Sequence, residues 1–122
     1  MYNLITKIRN ALYAKQINIL IPMNKTHLQF LNVLYRAGFI SNFKIHQNQL
    51  LLDFKYDSFF QPVILSIQII SKPSKSIYIQ YHNIKSLQAQ HSIFILHTSK
   101  GILTHEEALK MKLGGQLICK MN

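Results

Sequence analysis

The apolar positions of the chain change period several times, and each change marks an element. In "NLITKIRNAL" Leu4, Ile5, Ile8 and Leu12 recur at helical spacing, with Asn3 placed to cap and Lys7 and Arg9 off the stripe. "INILI" (17–21) reads as a short strand ended by Pro22. Asn24 opens a second helix with Leu28, Leu31, Val33, Leu34 and Tyr35 inward, and Gly38 supplies a left-handed C-terminal residue. Phe39, Phe43 and Ile45 alternate, "HQNQ" (46–49) turns, and Leu50, Leu52, Phe54 and Tyr56 alternate again. "VILSIQII" (63–70) is expected as a third strand of the same sheet. The order αβαββ predicts an α+β fold.

"SKPSKS" (71–76) is the sharpest break in composition. It divides the chain into an N-terminal α+β subdomain (1–70), a linker loop (71–76) and a C-terminal, mostly antiparallel β subdomain (77–122). In the last, "IYIQY", "SIFIL", "GILT" and "QLICKM" read as strands and "HEEALKMK" as a short helix. Thr104 and Glu107 have the spacing of a capping box. Glu106 and Glu107 suit the positive end of that helix, Lys110 and Lys112 the negative end. Gly114 stands where a left-handed stop is wanted.

Charge then narrows the function. The chain of 122 residues carries 14 Lys and Arg against 4 Asp and Glu, a formal net charge of +10. Such an excess attracts polyanions, nucleic acid first and an anionic membrane second. No apolar run reaches the ~18 residues that span a bilayer, and no signal-peptide pattern is present. With 48% hydrophobic residues the chain can bury a core.

Catalysis finds little to stand on. Two of the four acids serve the capped helix, and Asp53 and Asp57 read as a strand's polar face and a loop. His82, His91, His97 and His105 lack metal-ligand spacing. Cys119, the one cysteine, falls in an apolar strand and reads as a buried thiol. A hydrolase built on Cys119 or Ser99 with a histidine is the enzymatic alternative. No catalytic residue, metal or cofactor is expected.

"HTSKG" (97–101) and "SKPSKSIY" (71–78) remain. Both place short hydroxyls and lysine beside an aromatic or a glycine at strand ends. That chemistry suits RNA: Ser and Thr reach 2′-OH groups and base edges, Lys neutralises phosphate, Tyr78 stacks, and Gly101 permits close backbone approach. Gly115, next to Gly114 in "LGGQ", likewise lets another backbone come close.

"HTSKGILTHEEALKMKLGGQLIC" resembles the C-terminal signature of the bacterial-type small-subunit ribosomal protein S-eight family. "NLITKIRNA", "LYRAGFI" and "ISKPSKSIY" resemble further family segments in the same order, so the likeness spans nearly the whole chain. It implies two small subdomains, no enzymatic activity, and a partner in the central domain of small-subunit rRNA, beside neighbouring ribosomal proteins. The RNA contacts it implies are Thr98, Ser99, Lys100 and Gly101, with Ser71, Lys72, Pro73 and Tyr78, the turn at Gly114 and Gly115, and Lys7, Arg9 and Asn10. His97 and Gln116 stand where the family has serine and glutamate, and also count among the expected contacts. Ser74 and Ser76 replace a glycine and a basic residue, and Lys112 replaces a glycine. The richness in Ile, Lys and Asn, the absence of Trp and the lack of a targeting segment point to an organelle-encoded, mitochondrial ribosome, with a bacterial or plastid ribosome as the alternative. A basic RNA- or DNA-binding accessory factor outside the ribosome is the other reading.

Overall fold

The computed structural model describes residues 2–64, 66–72 and 74–122. The chain divides into two compact units, Asn3–Leu65 and Ser66–Asn122.

The first unit holds helices α1 (Tyr2–Tyr13) and α2 (Lys25–Arg36) and strands β1 (Asn18–Pro22), β2 (Ile40–His46) and β3 (Gln49–Phe54). The strands form an antiparallel sheet in the order β1-β3-β2. β1 is an edge, which lets Pro22 be its last residue opposite Gln49 without removing a ladder hydrogen bond. The β2–β3 turn puts Gln47 and Asn48 at φ +48° and +62°, the left-handed pair a two-residue hairpin needs for its twist. Leu50, Leu52 and Phe54 alternate into the core, joined by Leu4, Ile5, Ile8 and Ala11 of α1 and Phe30, Leu31, Val33 and Leu34 of α2. Asn24 caps α2 by accepting from the His27 N–H at 2.8 Å, and Gly38 follows its end at φ +82°.

α1 begins at Tyr2, so Asn3 lies inside the helix and is not its cap. Tyr35 is exposed, its ring meeting Phe43 edge-on at 6.1 Å, and Phe30, outside the expected inward set, is fully buried.

The second unit contains strands β4 (Ile67–Ile69), β5 (Tyr78–Ile79), β6 (Ile93–Thr98), β7 (Gly101–Thr104) and β8 (Gly115–Met121) and helices α3 (Tyr81–Ile84) and α4 (His105–Met111), with a 3₁₀ turn at Lys85–Ala89. β8 is central: β6 lies on one side, and β4 and β5 share the other. Ile67–Ile69 therefore pairs with Cys119–Met121 and does not complete the first sheet as expected. The division between units falls at 65/66, ahead of the expected 71–76 linker. That segment belongs to the second unit as an excursion of its edge, where Lys72 and Lys75 exchange backbone hydrogen bonds of 2.9 and 3.0 Å. The strand expected through "IYIQY" stops at Ile79, because Ile84 and Leu87 turn inward at a spacing of three and wind the chain into helical turns. They close a core with Phe94, Leu96, Ala108 and Leu117.

Candidate nucleic-acid interface

The hairpin β6–β7 is built by its own side chains. Thr98 and Gly101 face each other across it, leaving Ser99 and Lys100 as its two-residue loop. Among the described residues of that loop neither takes a positive φ, while Gly101 does at +104°. This is the pattern of a type I turn closed by a left-handed glycine, which lets the strands leave with the proper twist. The Thr98 hydroxyl donates to the Gly101 carbonyl at 2.9 Å and accepts from the Lys100 N–H at 3.2 Å. Thr98 is buried, so its hydroxyl shapes the turn, and the groups presented to solvent are Ser99, Lys100 and His97.

The sheet register carries this surface sideways. His97 of β6 pairs with Gln116 of β8, and Gln116 pairs in turn with Tyr78 of β5. Residues directly opposite in adjacent strands project from the same face, so His97, Gln116 and Tyr78 form one row across three strands. Tyr78 is 75% exposed. Gln116 donates from Nε2 to the Ser76 hydroxyl at 3.3 Å, tying the row to the 71–77 loop.

That loop is pinned at its neck. The Ser71 hydroxyl donates to the Leu117 carbonyl and accepts from the Ile77 N–H at 3.0 Å. Ser71, like Thr98, spends its hydroxyl on the scaffold. Lys72, Ser74, Lys75 and Ser76 are exposed; Pro73 lies outside the described residues. Lys75, which stands opposite Lys72 in this backbone pairing, adds a second exposed lysine to the loop.

Gly114 and Gly115 let neighbouring backbone come close. The left-handed residue ending α4 is Lys112, at φ +58°, so Gly114 is not the helix stop expected of it. A Cβ on Gly114 would stand 2.6 Å from the Ile79 carbonyl oxygen, and one on Gly115 would stand 2.6 Å from that of His97. The pair thus admits β5 on one side of β8 and β6 on the other. The expected capping box holds α4 behind them: Glu107 N–H donates to the Thr104 hydroxyl at 3.2 Å, and Thr104 N–H to the Glu107 carboxylate at 3.2 Å. The acids of this unit, Glu106 and Glu107, both stand in that first turn and not on the hairpin.

Lys7, Arg9 and Asn10 belong to α1 in the other unit. The Lys7 ammonium donates to the Leu20 carbonyl, while Asn10 is exposed and lines a groove with Asn3, Thr6, Lys7, Gln16 and Ile19.

The thiol of Cys119 is fully buried and pushed up to about 12 by burial, so it is protonated near neutral pH. His105 is buried against the Phe94 ring, and its Nδ1 accepts from the Phe94 N–H at 3.1 Å. Asp57 spends Oδ1 on the N–H groups of Phe59 and Gln61, both at 2.9 Å. Among the described residues no three His, Cys, Asp or Glu side chains come together as a metal site. No described helix is long and apolar enough to cross a membrane.

The family model described as Ribosomal protein S8 matches residues 1–122. This chain belongs to the ribosomal protein S8 family. It is 34% identical over 130 residues to the small ribosomal subunit protein uS8c of Chlorella vulgaris, covering 98% of this chain and 94% of the relative. It is 33% identical over 123 residues to uS8 of Borrelia garinii subsp. bavariensis and 35% identical over 123 residues to uS8 of Leptospira biflexa; each alignment covers 98% of this chain and 93% of the relative. Membership of the S8 family makes the chain a structural ribosomal component and not an enzyme.

Proposed function

We propose that this chain is a structural constituent of a small ribosomal subunit that binds the central domain of small-subunit rRNA and supports subunit assembly. The observation that carries the reading is the row Tyr78–Gln116–His97, which ends beside the exposed Ser99–Lys100 loop. Ser99, Gln116 and His97 offer hydrogen bonds to 2′-OH groups and base edges, Tyr78 a stacking surface, and Lys72, Lys75 and Lys100 neutralise phosphate. Thr98, Ser71, Gly101, Gly114 and Gly115 act by holding that surface in shape. Lys7, Arg9 and Asn10 extend RNA contact to the first unit, and Pro73 joins the site by its sequence position alone. The ribosome is mitochondrial in this reading, on the strength of the biased composition, and neighbouring small-subunit proteins are its protein partners.

Binding of the purified chain to a central-domain rRNA transcript tests this. Affinity should fall linearly on a log–log plot against salt, as expected when lysines displace counterions from phosphates. Ser99→Ala combined with Lys100→Gln should weaken binding without altering the unfolding midpoint. Equal binding to an unrelated stem of the same length would refute the central-domain assignment. Organelle fractionation followed by detection of the chain in mitochondrial small subunits tests the location.

A further inference from the structure

The first unit carries a second surface that the hairpin site does not use. The loop after β3 is tightly built: Asp57 N–H donates to the Gln61 carbonyl at 2.9 Å, Phe60 N–H to the Asp57 carbonyl at 3.1 Å, and Tyr56 bridges to Pro62. The Tyr56 hydroxyl ties the loop to the Gln16 carbonyl, just past the end of α1. Phe60 sits at φ +57°, where a side-chain-bearing residue is strained, and its ring stacks on Tyr56 with centroids 4.6 Å apart and planes 15° apart. The outcome of this construction is that Phe59 stands 83% exposed. A single exposed apolar residue is ordinary. A phenylalanine held outward by a fixed, strained loop beside a stacked aromatic pair needs a purpose.

We infer that this loop is a further RNA contact, in which Phe59 stacks on an unpaired base while Lys55 and Lys15 neutralise the adjoining phosphates. The two exposed lysines directly precede Tyr56 and Gln16, the partners of the hydrogen bond that ties the loop down. Tyr13, 80% exposed at the end of α1, adds a second aromatic face near Lys15. Charge selects RNA over an apolar protein pocket. Residues 3–65 contain seven Lys and Arg against two Asp, and the Asp57 carboxylate is taken up by its own loop. Aromatic side chains set in a positive field are the means by which proteins hold unpaired bases without reading their sequence. The inference rests on the rRNA-binding reading and adds to it, in the first unit, a contact beyond Lys7, Arg9 and Asn10.

The test uses the full chain and a small-subunit rRNA transcript. Phe59→Ala should weaken binding roughly five- to 150-fold, the range set by the loss of one stacked base, and Phe59→Trp should restore it. Lys55→Gln should reduce the salt slope by about one counterion. Phe59 is on the surface, so circular dichroism should show all three variants folded. A photoreactive phenylalanine analogue at position 59 should cross-link to rRNA in isolated small subunits. Undiminished binding by Phe59→Ala, or a cross-link to protein alone, overturns this inference and leaves the hairpin reading intact. Failure of the parent chain to bind the transcript overturns both.

Discussion

The α-carbon of Gly115 lies so close to the backbone of His97 that a methyl group there would stand 2.6 Å from the His97 carbonyl oxygen. One glycine of β8 therefore sets how near β6 can come, and with it whether His97 and Gln116 share a row.

Gly115→Ala should accordingly destabilise the protein by about 1–3 kcal/mol, the usual cost of overpacking against a neighbour that cannot give. The obstructing atom is backbone, so no rotamer change relieves it. Urea unfolding of the variant checks this, and a midpoint equal to that of the parent would contradict it. Gly114→Ala should behave likewise, through the Ile79 carbonyl.

Thr98 and Ser99 should separate by experiment. Thr98→Val removes a donor and an acceptor from within the turn and should cost stability by about 1–2 kcal/mol, since each lost hydrogen bond is worth on the order of 1 kcal/mol. Ser99→Ala should leave stability unchanged and weaken RNA binding alone. Paired thermal melts and binding isotherms on the two variants distinguish scaffold from contact.

His105 makes stability depend on pH. Burial lowers its affinity for a proton below the ordinary 6.5, opposed by the nearby Glu106 carboxylate. The unfolded chain therefore takes up a proton more readily than the folded one, and stability rises with pH over that window. Full stability should be present above about 6.5 and should decline as pH falls from there toward the lower folded value. The protonated ring also loses the lone pair that accepts from Phe94 N–H. Melting temperatures between pH 7.5 and 5 check the slope, and His105→Gln should flatten it.

Cys119 should resist thiol reagents in the native protein at neutral pH and react at once in denaturant, because burial removes both access and the thiolate. Rapid native labelling would show that the strand opens locally.

Much of this was legible in local sequence signals. Asn24 and Gly38 bound α2, Thr104 and Glu107 cap α4, alternation marks β3, and continuous apolar runs mark β6 and β8. The hairpin was legible too, since Ser99 and Lys100 fall between apolar runs with glycine after them. Less could be read at 63–70, where alternation reveals a strand but not its partner. The structure pairs 67–69 with 119–121, fifty or more residues away in sequence. The turns at 81–89 carried no strong period and show themselves only through the core they close.

The sequence by itself determined the elements with local causes: caps, turns, apolar stripes and the excess of positive charge. Only the tertiary structure decided that Tyr78, Gln116 and His97 share a row, that the Thr98 and Ser71 hydroxyls face inward, and that Gly114 and Gly115 serve close approach. Caps and periods act within a few residues of one another. Strand order, register and backbone approach depend on partners far along the chain, whose identity no local pattern encodes.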